Sequence, residues 1–195
     1  KMRFYYSFLR FDSCVSPDGD TDYIFAVNDR REFGNYVGQH GMVMENGLPA
    51  NAEITIKRAT GVVYELPSGR IVPAISAAGG LKIPVDLGPG EGRVFVVAPR
   101  SIGSLRIDAP KQTKRSSKAA CRITCPGAHD AVIPLQVKIL DPDGRAAEFS
   151  GYYGMKNGSL DLPLDIAPND TPGLWQIRAT ELLSQNETRA WFRVQ

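Results

Sequence analysis

The chain has 195 residues, 43% of them hydrophobic, enough to bury a core in one large or two small domains. Charged residues make up 23% and the formal net charge is +2, neither the basic excess of a nucleic-acid binder nor the acidic excess of a solvating tail, so polyanions are not expected partners. No apolar run reaches the ~18 residues of a membrane-spanning helix, and 19 Gly and 14 Pro beside many Val, Ile, Thr, Tyr and Phe indicate short strands and tight turns.

Residues Arg3 to Phe11 carry aromatics and leucine at strand density. The opening therefore reads as a strand rather than a leader, and the chain is expected to be a piece of a longer polypeptide. In the turn cluster that follows, Asp18-x-Asp-x-Asp22 has the spacing of the first ligands of a calcium loop. Tyr23 stands where that loop needs glycine, and Asp29 where it needs glutamate, so a hairpin tip is the expectation. Tyr23 to Val27 is a short apolar run of the kind buried on both faces.

The stretch from Asn28 to Pro49 crowds charge, amides, aromatics, methionines and one of the two histidines into a glycine-punctuated segment. It reads as a long connection without regular structure, packing Phe33, Tyr36, Val37, Met42 and Met44 onto a sheet. Long irregular connections are often functional. Arg30, Arg31, Tyr36, Gln39 and His40 are accordingly the candidate ligand-binding residues, for a sugar or a partner domain.

Strands are expected at Glu53 to Lys57, Val62 to Leu66 and near Ile71, the last two joined by a turn at Pro67 to Gly69. In Leu81 to Leu87 the apolar residues alternate with Lys82, Pro84 and Asp86, and the proline suggests a sheet edge. Gly88 to Gly92 turns the chain into a buried strand, Arg93 to Ala98. A strand at Ser104 to Asp108 is expected to close a first module, residues 1–110, with 111–118 as an exposed linker whose four basic residues are solvated.

The second module, residues 119–195, reads as strands at Ala119 to Thr124, Val132 to Leu140, Arg145 to Tyr153, Ser159 to Ile166, Leu174 to Leu182 and Thr188 to Val194. Turn residues separate them, as in Asp141-Pro-Asp-Gly144 and Lys156-Asn-Gly158. The fold class is all-β: two tandem antiparallel β-sandwich domains with almost no helix. Leu81-x-Ile-Pro-Val-Asp-Leu-x-Pro89 and Leu160-x-Leu-Pro-Leu-Asp-Ile-x-Pro168 share one template, which supports the two-module split.

No nucleophile elbow, metalloprotease pair, phosphate loop or dinucleotide fingerprint occurs, and no catalytic residue, cofactor or metal is expected. Cys121, Cys125 and His129 are spaced by fours, but residues four apart on a strand lie about 13 Å from each other, so buried free thiols are the expectation, with a Cys14 link to the second module as the alternative. Trp175 and Trp191 read as core, while Tyr152 and Tyr153 read as better candidates for exposure. Asn186-Glu-Thr188 matches the glycosylation sequon.

Tyr23 to Asn28, Val62-Val-Tyr-Glu-Leu-Pro-Ser-Gly-Arg70 and Val85-Asp-Leu-Gly-Pro-Gly-Glu-Gly-Arg-Val-Phe-Val96 resemble the all-β C-terminal domain of bacterial glycoside hydrolases of the β-galactosidase-like kind. Through Val132 to Arg145 and Asn169 to Val194, the second module is similar to immunoglobulin-like or macroglobulin-like bacterial modules. The resemblance implies a non-catalytic accessory region of a larger extracytoplasmic, carbohydrate-related bacterial protein. Its expected partners are the catalytic or neighbouring domain of the same polypeptide and a weakly bound glycan, with no nucleic acid and no membrane span. The alternative is an adhesion or scaffold module that binds another protein.

Overall fold

The computed structural model describes residues 9–15, 21–37, 43–126, 128 and 132–195, with 9–15, 35–37, 43 and 44 described by their backbone alone. These residues form an all-β structure without helix. The chain divides into two compact units; the described part of the first includes Thr21–Leu66 and Arg70–Pro99, and the second consists mainly of Arg100–Gln195.

The first unit comprises β1 (Leu9–Val15), β2 (Asp22–Asn28), β3 (Arg31–Val37), β4 (Val43–Gly47), β5 (Ala50–Ile56), β6 (Val62–Leu66), β7 (Arg70–Val72), β8 (Ile75–Ala77), β9 (Gly80–Leu87) and β10 (Gly92–Ala98). One antiparallel sheet has the order β1-β2-β10-β6-β7 and another β5-β9-β8, with β3 and β4 paired as a separate hairpin. Period-2 alternation decides what each strand buries. Ile24 and Ala26 of β2, Val63 of β6 and Phe95 and Val97 of β10 meet Ile54 and Ile56 of β5 and Leu81, Ile83, Val85 and Leu87 of β9 in one core. Two sheets facing a shared core make a sandwich. Each large apolar side chain so buried stabilises it by about 1.5–3 kcal/mol.

Three expectations change here. The run Tyr23 to Val27 is buried on one face only, because Phe25 and Val27 stay about two-fifths exposed on the other. Strand β9 lies at the centre of its sheet, not at the edge. Its proline is tolerated because β8 pairs only with Gly80 to Lys82, so the ladder on that side has ended before Pro84. The stretch after Asn28 is no irregular connection: β3 and β4 pair antiparallel from Arg31↔Gly47, with a register shift between Phe33 and Val37. Gly80 is required where it stands, since a Cβ there would lie 1.9 Å from the Ile56 carbonyl oxygen and φ is +141°.

The second unit comprises β11 (Arg106–Asp108), β12 (Gln112–Thr113), β13 (Ser117–Thr124), β14 (Ile133–Leu140), β15 (Gly151–Met155), β16 (Ser159–Ile166), β17 (Gly173–Glu181) and β18 (Glu187–Val194). A three-stranded sheet, β11-β13-β16, accompanies a five-stranded one, β12-β18-β17-β14-β15. All neighbours are antiparallel except β12 and β18, which run parallel. Inward positions alternate strictly, as in Ile133, Leu135, Val137 and Ile139 of β14 and Trp175, Ile177 and Ala179 of β17, all buried.

The strand expected to close the first module forms at Arg106–Asp108 but pairs with β13, so it belongs to the second unit. The segment read as a linker is structured too. It carries β12, held on β18 by the Arg193 amide donating to the Lys111 carbonyl and the Gln195 amide to the Thr113 carbonyl. Edge pairing by two residues leaves almost no periodicity to read, which is why composition misplaced the boundary. Arg145 to Ser150 is not strand. The Asp141 carboxylate accepts the amides of Asp143 and Arg145 and tightens the turn, and Ser150 Oγ accepts the Ile139 amide and donates to its carbonyl, so β15 begins only at Gly151.

The shared template is built alike in both units. Leu81, Ile83, Val85 and Leu87 are buried, as are Leu162, Leu164 and Ile166, while Pro84 and Pro163 are exposed. Strand β16 is an edge strand, which accommodates Pro163.

Candidate functional site

Arg30 and Arg31 fall at the base of the β3–β4 hairpin. Asn28, 1% exposed, organises that base: its side-chain amide donates to the carbonyls of Leu48 at 2.7 Å and Gly88 at 2.8 Å, and its Oδ1 accepts the Arg30 amide at 3.0 Å. A cleft of about 210 Å³ lies there, lined by Asn28, Asp29, Arg30, Arg31, Glu45, Gly47 and Gly90. Both guanidinium groups make contacts within the chain. Arg31 is paired with Glu45 and with Asp29 at 2.7 Å, and Arg30 donates to the Pro49 carbonyl at 3.3 Å. Glu45, and then Asp29, raise the Arg31 pKa above its ordinary value. Tyr36 lies on β3 with its side chain outside the described part, and Gln39 and His40 lie outside the described residues. Of the five sequence candidates the structure thus brings two together, both engaged by the chain's own acceptors. Asp18 and Asp20 of the calcium-like spacing are also outside the described residues, and Asp22 pairs with Arg58 at 3.0 Å.

In the second unit an open hollow of about 430 Å³ is lined by Asp108, Ala109, Pro110, Ala120, Cys121, Arg122 and Asp161. Within it Arg122 grips Asp161 with Nε to Oδ1 at 2.6 Å and a second bond at 2.9 Å, which holds that carboxyl below its usual range. Burial pushes the Cys121 thiol up to about 11, and burial likewise raises Cys125, whose Sγ lies 3.4 Å from the Gly103 carbonyl. Both are free and buried, as their spacing suggested; His129 is outside the described residues. A thiolate is the reactive form, and a rise from 9.0 to about 11 cuts the thiolate fraction near neutral pH by about 100-fold. Native protein at pH 8 is therefore expected to leave Cys121 unmodified by iodoacetamide over a period that alkylates the urea-unfolded chain fully, as mass spectrometry of the digests would show. The neutral thiol is favoured only when folded, so this contribution to stability is complete below the unfolded thiol's pKa and is lost as pH rises through about 11. Among the described residues no group of three or more His, Cys, Asp or Glu is placed to hold a metal ion.

The outer face of the β12-β18-β17-β14-β15 sheet is different in kind. Strand β18 sends Phe192 and Val194 inward, so parity sends Glu187, Arg189, Trp191 and Arg193 outward. Trp175, by contrast, is 2% exposed, packs against Phe192 at 5.8 Å and donates its Nε1 hydrogen to the Thr171 carbonyl at 2.9 Å. The two tryptophans thus part company, and the expectation of two core tryptophans holds only for Trp175. Trp191 is 52% exposed and stands opposite Gln176 in the register. Tyr152, 74% exposed, lies on the same face on β15, where its hydroxyl accepts from Gln136 Nε2 at 2.8 Å, while the Tyr153 hydroxyl turns back to the Phe149 carbonyl. The missed signal was readable: Arg189 and Arg193 share parity with Trp191.

At the end of this face Glu181, fully buried, accepts the amides of Leu183 and Ser184 and the Ser184 hydroxyl, fixing the β17–β18 turn that sets this register. No protein-family model and no curated protein matches this chain.

Proposed function

We propose that the chain is a non-catalytic accessory region, two β-sandwich modules of a larger extracytoplasmic, carbohydrate-related bacterial protein, and that the second module holds glycan weakly on the outer face of its five-stranded sheet. The observation that carries this reading is Trp191, half-exposed on the outer face of β18, with the side chain of Gln176 opposite, whose Oε1 accepts from Arg178 at 3.2 Å and whose NH2 group can donate. A sugar ring presents C–H groups that stack on an indole and hydroxyls that bond an amide, so this pairing suits it.

The immunoglobulin-like reading of the second module is supported by its strand order. With β11, β13 and β16 as A, B and E, the strands β18, β17 and β14 fall as G, F and C, the division seen in that architecture. Cys121 sits on the inner face of β13, but β17 carries Trp175 and Ile177 inward, so the antibody-type cross-link has no second cysteine. For the first module, the glutamate of the resembling turn has a structural role: Glu91 Oε2 accepts the Gly88 amide at 2.6 Å, and Arg93 Nε donates to its other oxygen at 2.7 Å. A protein-binding scaffold is the second reading, favoured by Phe25 and Val27 side by side on the outer face of β2.

Affinity electrophoresis through gels containing neutral and acidic polysaccharides tests the first reading. At least one polysaccharide is expected to retard the protein, and Trp191→Ala to weaken that binding about tenfold, the scale of a lost ring contact. If no polysaccharide retards the wild-type chain, the glycan-binding role is refuted.

A further inference from the structure

Cross-strand register places three cations in one row across the outer face of the five-stranded sheet: Lys138↔Arg178 and Arg178↔Arg189 are direct partners. Like charges directly opposite each other destabilise a sheet, so local stability disfavours this row. A single carboxylate answers it. Glu187 reaches Arg189 at 2.6 Å and lies 3.8 Å from the Arg178 Nε, which is buried without a hydrogen-bond partner. Lys138 is exposed and makes no ion pair among the described residues. Trp191 lies two residues along β18 from Arg189, about 7 Å away and on the same face.

The near-neutral net charge argued against a polyanion, but net charge averages over the chain and hides what pairing brings together. We infer that this face takes an acidic polysaccharide, a chain of uronic-acid residues, with Trp191 stacking on one sugar ring and Lys138, Arg178 and Arg189 receiving the carboxylates of its neighbours. The inference rests on the glycan-binding reading and names the ligand class. Alternating ring faces and carboxylates match an aromatic platform beside a cationic row. The row is only three residues deep and bounded by Glu187, too small a positive field for the continuous phosphate charge of nucleic acid.

The test is isothermal titration of the 195-residue chain with oligogalacturonate, with a neutral galactan oligosaccharide of the same length and with single-stranded DNA. Oligogalacturonate is expected to bind tightest and to weaken as salt is raised. Lys138→Gln and Arg189→Gln are each expected to weaken it about threefold to fivefold, the scale of one exposed charge pair. Circular dichroism melts check folding, and Lys138→Gln, which relieves repulsion, is expected to melt no lower than the wild type. Equal binding of the neutral oligosaccharide, lost in Trp191→Ala and untouched by the two charge variants, would overturn the acidic-ligand inference while leaving glycan binding standing. Absence of binding to both sugars would overturn both. DNA binding as tight as oligogalacturonate would overturn the inference in favour of a general polyanion surface.

Discussion

Trp175→Ala is expected to destabilise the second unit by about 3–5 kcal/mol, while Trp191→Ala, sixteen positions away on the neighbouring strand, changes stability by less than about 1 kcal/mol. The difference follows from parity. Trp175 is 2% exposed, with its ring against Phe192 and its indole nitrogen hydrogen-bonded to the Thr171 carbonyl, so truncation opens a cavity and leaves that carbonyl without its donor. Trp191 has half its surface in water and loses little on removal. Urea unfolding followed by circular dichroism measures both, with the second unit's transition treated separately because two units need not unfold together. Equal costs for the two substitutions would mean that β18 is not paired in the register described.

The second large effect is expected at Asn28. Its side chain ties the β3–β4 hairpin to the β9–β10 turn, donating to the Leu48 and Gly88 carbonyls and accepting the Arg30 amide, with the Leu87 carbonyl 3.4 Å from the same Nδ2. Asn28→Ala leaves these groups without partners in a site 1% exposed, and a loss of about 2–4 kcal/mol is expected. Asn28→Asp is expected to lose more at neutral pH, because a carboxylate oxygen replaces the donor where two carbonyls point. Acidification recovers part of the loss once the carboxyl can donate again. Hydrogen exchange at the Leu48 amide, which donates to the Arg30 carbonyl, reports the same loosening locally. Unchanged stability in Asn28→Ala would show that the hairpin is held elsewhere.

Legibility tracked strand length and the strength of alternation. Strands β9, β14, β16 and β17 were readable almost to the residue, because seven or more positions of strict alternation outweigh local noise. Strands β8 and β12, of three and two residues, carry no period of their own and went unread, while the equally short β7 and β11 were expected near Ile71 and at Ser104 to Asp108, β11 without its partner β13. The hairpin β3–β4 was hidden for another reason. Glycine, charge and amide residues mask its pattern, and its base is fixed by Asn28 acting on residues as distant as Gly88. The sequence pointed to Arg30 and Arg31 because they lie in what reads as a long irregular connection; in the fold they stand at the base of a hairpin, in contact with Glu45, Asp29 and the Pro49 carbonyl.

By itself the sequence determined the all-β class, the alternating cores and the turns, since these depend on residues within one strand's length of each other. The tertiary structure alone decided which strands became neighbours. That choice moved Arg106–Asp108 into the second unit, turned Trp191 to solvent, and set Lys138, Arg178 and Arg189 side by side although up to 51 positions separate them in the chain. The physical reason is that a strand's own pattern fixes which face it buries, whereas the register between strands fixes what stands beside what on the face left open.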